Sequence, residues 1–385
     1  MEIRSLWMFV VCFVLVAGWM AGTCESIRWL SLQHSHLNWN VSSVNNNHGR
    51  GIRSGIRSPC TLARRRYGLV KIQAKLCRHS METMPHIQKA AMLASDTCRE
   101  IFRDRRWNCS SITTAPFLTP DLTRATREQA YVYAISSAAL VYTLARACSS
   151  GNLHQCTCAS KPINSPTDSF QWGGCGDNVR WASQFSKRFI DNVEKHNLLK
   201  IEKTKRAKDL NEENDVFKNE VAIVNLHNIK MGRKLITASV HNECKCHGVS
   251  GSCNIKTCWK ALPPMIKIGK ELLQKFTTAK VVSQKTVERL EQKTKKKAVL
   301  SDELVYISKS PDYCTKDEKL GSFGTMGRLC NVSSNSLDSC RQLCCGRGYK
   351  TVVEEKIERC QCKIYNCCYV KCKVCRTMTQ VHECL

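Results

Sequence analysis

Acid is scarce in this chain of 385 residues: 32 Asp and Glu stand against 59 Lys and Arg, a formal net charge of +27. The shortage is sharpest between Lys260 and Lys297, where three Glu (271, 288 and 291) meet 11 Lys and Arg. A surface this basic selects polyanions, and other absences decide which kind. No motif of a nucleic-acid-binding fold occurs, so nucleic acid is not the expected partner. The string Gly248-Val249-Ser250-Gly251-Ser252 lacks the closing glycine of a Gly-x-Ser-x-Gly elbow. His247 lies in the same small loop and could not reach round as a base, and no separate Asp–His pairing stands out. A serine hydrolase is therefore not expected. Membrane-spanning runs are missing too. The apolar stretch from Leu6 to Ala17 is too short to cross a bilayer comfortably. The uncharged stretch from Ala130 to Ala145 is interrupted by Ser136, Ser137 and Thr143 and closed by Arg146, which predicts a core helix.

Cysteine, by contrast, is abundant, with 26 residues. So many thiols persist as pairs only in an oxidising compartment. The N-terminus agrees: Arg4, the apolar run, then Ala21, Gly22 and Thr23 read as a signal peptide over residues 1–24, cut near residues 21 to 24. Secretion turns the polyanion of the basic stretch into a sulfated glycan such as heparan sulfate. From Cys60 onward the cysteines form two clusters of twelve, Cys60 to Cys258 and Cys314 to Cys384, with none in 259–313. Two separately closed disulfide domains follow. Zinc is the rival use of Cys244-x-Cys246-His247 and Cys253-x4-Cys258, but oxidised sulfur is no metal ligand, so no metal is expected and His247 reads as an ordinary loop residue.

The predicted fold class is α+β and disulfide-rich: a helical N-terminal domain with a cystine-bridged hairpin, and a small cystine-knot-like β C-terminal domain. Residues 25–59, rich in Ser, Asn, Gly and Arg, are expected to form a disordered leader. The helical domain spans 60–262. Helices are predicted over 81–103 (Met84, Ile87, Ala91, Ala94, Cys98 and Ile101 on one face), 120–147, 179–196 and 216–240. The second starts with Thr119 as cap, Pro120 in the first turn and Asp121 at the positive end. Residues 200–215 read as an exposed loop and 263–303 as a basic linker, with some helix near Pro264 to Phe276. The last domain, 304–385, has strand-like pieces (Leu304 to Ser308, Thr351 to Ile357, Lys363 to Tyr365, Tyr369 to Lys373) and too few apolar residues for a large core.

The most informative string is the hairpin 244–258, Cys244-Lys-Cys246-His-Gly-Val-Ser250-Gly-Ser-Cys253-Asn-Ile-Lys-Thr-Cys258. A loop so short, with cysteines at both ends and inside, presents the Ser250 hydroxyl on a stiff finger, with Ser252 a second hydroxyl in the loop. It is similar to the hallmark of the Wnt family. Arg106-Trp-Asn-Cys109, Trp172-Gly-Gly-Cys175, Leu226-His-Asn228 with Gly232-Arg233, Ser310-Pro-Asp-Tyr-Cys314, Gly321-Ser-Phe-Gly324 and Leu343-Cys-Cys-Gly-Arg-Gly348 resemble Wnt landmarks in the Wnt order. The resemblance covers residues 60 to 385. Through Ser110-Ser-Ile, Thr119-Pro-Asp-Leu122 and Cys258-Trp-Lys-Ala-Leu262 it most resembles the subclass numbered eleven, which hints at polarity and cell-movement signalling rather than β-catenin.

The resemblance implies a secreted developmental ligand that catalyses nothing and has no cofactor beyond one covalent group, a cis-unsaturated C16 fatty acyl ester on Ser250. A membrane-bound acyltransferase adds it, a lipid carrier accompanies it, and the tip (Val249, Ser250, Gly251) offers it to the cysteine-rich domain of a Frizzled receptor, with a co-receptor of unknown identity joining the complex. Carried over by position, the family disulfides pair Cys60–Cys77, Cys98–Cys109, Cys148–Cys156, Cys158–Cys175, Cys244–Cys258 and Cys246–Cys253, then Cys314–Cys345, Cys330–Cys340, Cys344–Cys384, Cys360–Cys375, Cys362–Cys372 and Cys367–Cys368. A second receptor contact is implied at Lys363, Ile364, Tyr365, Asn366, Cys367, Cys368 and Tyr369. There the family usually has Phe at the position of Ile364 and Trp at that of Asn366; Ile229 likewise replaces a common Asn. Of three glycosylation sequons, Asn108 and Asn331 match positions glycosylated in relatives, and Asn40 lies in the leader. The alternative class is a disulfide-rich, heparin-binding protein of the extracellular matrix without lipid.

Overall fold

The computed structural model describes residues 26–39, 58–160, 171–206, 212–291, 302–365 and 369–385. It divides into two compact units, one of residues up to Ile101 plus Cys109–Ser310, the other of Phe102–Asn108 plus Pro311–Leu385.

In the first unit the helices are α1 (Pro59–Arg66), α2 (Lys71–His79), α3 (Met84–Ile101), α4 (Arg127–Ser149), α5 (Val179–Ser186), α6 (Asn192–Arg206), α7 (Glu212–Ala238), α8 (Met265–Thr277) and α9 (Gln284–Glu291). The strands are β1 (Gln171–Trp172), β2 (His241–Cys246), β3 (Lys256–Ala261), β4 (Lys280–Val281) and β5 (Val305–Tyr306). Helix α4 is the hub. It is long and apolar enough to cross a membrane, yet nearly all of its side chains are buried inside the unit. Its hydroxyls are satisfied by backbone carbonyls: Ser136 donates to Tyr133 O at 3.0 Å, and Ser137 to Ala134 O and Ile229 O at 2.9 Å. Satisfied hydroxyls let an uncharged helix with polar atoms sit in a dry core.

The start of α4 differs from expectation. Thr119, Pro120 and Asp121 belong to a separate 3-10 turn, Pro120–Leu122, and the cap is Thr126, which accepts from Gln129 N at 3.1 Å. Asp121 is occupied by the hydroxyls of Ser111 and Thr119, and Ala125, with φ of 53°, breaks the run between the two turns. The stretch 179–196 is likewise divided. A π turn, Lys187–Asp191, separates α5 from α6 and leaves Phe189 and Ile190 both buried. Helix α6 then runs to Arg206 and α7 starts at Glu212, so most of the expected 200–215 loop is helical.

Two further expectations are corrected. Within 25–59, residues 26–39 are not disordered: Ile27, Trp29, Leu30 and Leu32 are fully buried, and Trp29 packs edge-on against Phe189 with centroids 5.7 Å apart. The polar average of the segment concealed a short apolar cluster. The basic linker 263–303 also folds. Helix α8 buries Met265, Ile268, Leu272 and Phe276 while Lys267 and Lys270 stay exposed. Val282 and Val287 join Val221, Val224 and Val305 in one apolar cluster. Strand β5, expected in the C-terminal domain, pairs in parallel with β4. Asn228 holds it from α7, donating to Val305 O at 2.9 Å and accepting from Val305 N at 3.0 Å. The helical domain therefore extends past 262 to Ser310.

The second unit is thin, as its composition required. Its strands are β6 (Lys316–Asp317), β7 (Ser322–Phe323), β8 (Leu329–Cys330), β9 (Tyr349–Tyr365) and β10 (Tyr369–Cys384), with one short helix, α10 (Cys340–Leu343). The pieces expected separately after residue 350 form one antiparallel ribbon, β9 on β10, in register from Tyr349↔Cys384 to Tyr365↔Tyr369 with a bulge between Lys371 and Lys373. A small core of Cys340, Leu343, Cys344 and Cys384 anchors its base. Phe102–Asn108, from the first expected domain, belongs to this unit. Trp107 packs on Phe102 at 4.8 Å, and Arg106 donates to Gln342 O at 2.9 Å. With so little apolar burial, cross-links worth about 2–4 kcal/mol each stabilise the fold.

Candidate functional site

Strands β2 and β3 make an antiparallel ribbon from His241↔Ala261 to Cys246↔Lys256, with Cys244 directly opposite Cys258. That pair is bridged, and Cys246–Cys253 closes the turn above it, so the finger is stapled twice. Backbone bonds set the crown: His247 N donates to Ile255 O at 2.7 Å, Gly248 N to Ser252 O at 2.8 Å, and Gly251 N to Gly248 O at 2.9 Å. Ser250 has φ of 57° and ψ of 25°, the left-handed conformation, and Gly251 follows with φ of 77°. A β-carbon on Gly248 would lie 2.5 Å from the Ser252 carbonyl oxygen, so this crown requires glycine there. Val249 is 89% exposed, and Ser250 and Gly251 are exposed beside it. Among the described residues no carboxylate or imidazole hydrogen-bonds the Ser250 hydroxyl. The hydroxyl is presented, not activated. The four hairpin sulfurs are all in disulfides, so none is a thiolate ligand for zinc.

The finger is mounted on the helical unit through Asp177. Strand β1 pairs in parallel with β3, and Gly173 N donates to Cys258 O at 3.1 Å. Beyond Cys158–Cys175, Asp177 N donates to Lys260 O at 2.9 Å. The Asp177 carboxylate accepts from Leu262 N at 2.8 Å and from Ser149 Oγ, at the end of α4, at 2.7 Å. Arg146 completes the joint by donating to Leu262 O at 2.8 Å. The sequence reading missed Asp177, although it stands two residues past the Trp-Gly-Gly-Cys landmark. Replacing Asp177 with Ala leaves the buried Leu262 N–H unpartnered and frees Ser149 from the joint, its hydroxyl keeping only Arg146 O at 3.1 Å. Thermal unfolding should show a loss of about 2–4 kcal/mol, and limited proteolysis should cut at the hairpin base first.

Eleven disulfides occur among the described residues. Besides those named they are Cys60–Cys77, Cys98–Cys109, Cys148–Cys156, Cys314–Cys345, Cys330–Cys340, Cys344–Cys384, Cys360–Cys375 and Cys362–Cys372. All eleven coincide with pairs that the resemblance implies. The sulfurs of Cys330, Cys340 and Cys344 lie within 4.8 Å of one another, but each is already in a disulfide. Cys367–Cys368 and Asn366 lie outside the described residues. On the β9–β10 ribbon Lys363, Ile364, Tyr365 and Tyr369 are exposed, and the rings of Tyr365 and Tyr369 stack with centroids 5.8 Å apart. Of the sequons, Asn331 is exposed with its side-chain Oδ1 accepting from Ser333 Oγ at 2.9 Å, Asn108 is half-buried, and Asn40 lies outside the described residues.

A helical scaffold that raises a doubly stapled hairpin with an exposed serine at its crown is built to display that hydroxyl. The wnt family model matches residues 65–385. The chain is 41% identical over 370 residues to Protein Wnt-11b-1 of Xenopus tropicalis, covering 94% of this chain and 95% of that one. It is 38% identical over 367 residues to Protein Wnt-11 of Gallus gallus, covering 94% of each. The solved structure "Human WLS in complex with WNT8A" contains a chain that matches with a TM-score of 0.54 at 32% identity, over 79% of this chain and 95% of that one. The chain belongs to the Wnt family, whose members are signalling ligands.

Proposed function

We propose that this protein is a secreted Wnt ligand that carries a cis-unsaturated C16 fatty acyl ester on Ser250 and uses it to bind the Frizzled cysteine-rich domain. The observation that carries the reading is the exposed Ser250 hydroxyl at the crown of a hairpin stapled by two disulfides. Small neighbours, Gly248 and the exposed Gly251 among them, leave an acyltransferase room to reach it.

Lipid dominates recognition by magnitude. At roughly 0.8 kcal/mol per buried CH₂, the chain supplies on the order of 10 kcal/mol before entropic losses, more than any side chain on the loop. An exposed acyl chain also needs a carrier during secretion. The similar chain WNT8A was solved in complex with human WLS, which supports a carrier of that kind. In the extracellular matrix the exposed lysines of the α8 region, including Lys267 and Lys270, suit heparan sulfate. Glycans belong on Asn108 and Asn331, with Asn40 a further acceptor.

The test is selective removal of the ester. Treatment with a carboxylesterase should abolish binding of the secreted protein to an immobilised Frizzled cysteine-rich domain while leaving every disulfide closed. Undiminished binding would place the recognition energy in side chains, and no binding before or after treatment would favour the heparin-binding matrix protein without lipid.

The finger 363–369 supplies the second receptor contact, weakened by Asn366 where the family usually places Trp. An Asn366→Trp protein should bind the receptor domain about ten-fold more tightly, because a buried Trp is a dominant interface anchor. Equal affinity by surface plasmon resonance would mean that Ile364, Tyr365 and Tyr369 already fill that role.

A further inference from the structure

Charge of one sign collects on α1 and α2. From Ser26 to Met81 the sequence has no Asp or Glu. Helix α1 ends in Arg64, Arg65 and Arg66, and α2 carries Lys71, Lys75 and Arg78, all six exposed. The cations of α2 are spaced i, i+4 and i+7, which sets them in one stripe about 10 Å long. Among the described residues none of the six is in an ion pair. Cys60–Cys77 ties α1 to α2, so the array is held in place against its own repulsion.

The neighbourhood adds cations and hides its acids. Gln73 Nε2 donates to Phe189 O at 3.2 Å, which seats α2 on the π turn, where Lys187 and Arg188 are exposed. Asp191, in that turn, is committed to the Arg233 guanidinium at 2.7 and 2.6 Å. Glu194 is fully buried, and Glu82, half-buried after α2, accepts from Gln155 N at 3.2 Å.

Stability does not ask for this arrangement throughout. Cations at the end of a helix suit the negative pole of its dipole, which explains Arg64, Arg65, Arg66 and Arg78. Lys71 stands on the first turn of α2, at the positive pole, where a cation is disfavoured. Lys75 is four residues further on, a like-charge pair that repels, and no acid within four residues of either offsets it. Helix α8 is built otherwise: Glu271 stands four residues after Lys267 and four before Lys275.

Unpaired cations in a rigid row call for a polyanion that presents its charges in a row. Secretion selects the kind. Anionic lipid headgroups face the cytoplasm, whereas sulfated glycans stand outside the cell.

We infer that the exposed face of α1 and α2 is the principal binding site for a linear sulfated glycan, ahead of the α8 lysines. The inference rests on secretion and on the matrix association proposed above, and it gives that association a place. It is independent of the acylation of Ser250.

The test is binding of the secreted protein to immobilised heparin by surface plasmon resonance at physiological salt. Lys71→Glu/Lys75→Glu should weaken binding about thirty-fold or more and make it less sensitive to salt. Lys267→Gln/Lys270→Gln should weaken it no more than about three-fold. Wild-type protein should not bind chemically desulfated heparin. An α2 variant within three-fold of wild type, or a loss as large in the α8 variant, would overturn the site while leaving the association standing. No binding of wild type to heparin would overturn both. Tighter stripe-dependent binding to phosphatidylserine vesicles than to heparin would assign the face to a membrane and also overturn the inference.

The thermal midpoint of the α2 variant should not fall, because glutamate suits the start of a helix. Should it fall, or should the variant not be secreted, footprinting of the wild-type protein decides. Acetylation of Lys71 and Lys75, read by mass spectrometry, should slow about ten-fold when heparin is present, and that of Lys267 and Lys270 should slow less. Equal labelling of Lys71 and Lys75 with and without heparin would contradict the site.

Discussion

A Ser250→Ala protein is expected to be secreted with all its disulfides closed and to lose Frizzled binding almost completely. The fold tolerates the change because the hydroxyl is exposed at the crown of the hairpin and helps to hold nothing in place. Serine and alanine bear the left-handed conformation at similar cost, so the crown keeps its shape. Binding has no such tolerance. If even half of the gross transfer energy of a C16 chain survives, about 5 kcal/mol, its loss weakens affinity by more than a thousand-fold. The measurement is binding of the secreted variant to an immobilised Frizzled cysteine-rich domain. Affinity within a factor of two of wild type would place the recognition energy in side chains.

Gly232→Ala should have an effect of similar size on folding. Gly232 lies where α7 crosses α4, and a β-carbon there would stand 2.0 Å from the Ala134 carbonyl oxygen and 2.5 Å from Ser137 Oγ. Both are fixed. Ala134 O accepts the Ser137 hydroxyl, which also reaches Ile229 O on α7 at 2.9 Å. The helices can admit the methyl group only by separating, which breaks that bond and opens the best-packed crossing in the unit. A loss on the order of 4 kcal/mol is expected, enough to remove most of the secreted protein. Denaturant unfolding of what is secreted, beside the yield, checks it. An unchanged midpoint would mean that the two helices are not held this closely.

Much of this architecture was legible because its signals are local. The face of α3 from Met84 to Cys98 is written in helical spacing, and the burial of α4 follows from Ser136, Ser137, Thr143 and Arg146 in an otherwise apolar run. The stapled hairpin could be read directly, since its chemistry lies within fifteen consecutive residues. What escaped depends on partners distant in sequence. Trp29 and Leu30 look like part of a polar leader until Phe189 is found beside the indole. In the α8 segment, lysine count concealed a stripe of Met265, Ile268, Leu272 and Phe276. Thr119 and Thr126 are both plausible caps, and only the commitment of Asp121 to Ser111 and Thr119 decides between them. Asp177 was invisible for the same reason. A lone acid in a loop shows its importance only when Leu262 and Ser149 converge on it from either side.

The central claim concerns one hydroxyl, and one measurement reaches it directly. The secreted protein should be digested with its disulfides intact, and the peptide bearing Ser250 analysed by mass spectrometry with fragmentation. The account predicts a singly unsaturated sixteen-carbon acyl adduct located on Ser250 in most of the material. An unmodified Ser250 peptide from protein that still binds Frizzled at full strength would contradict it.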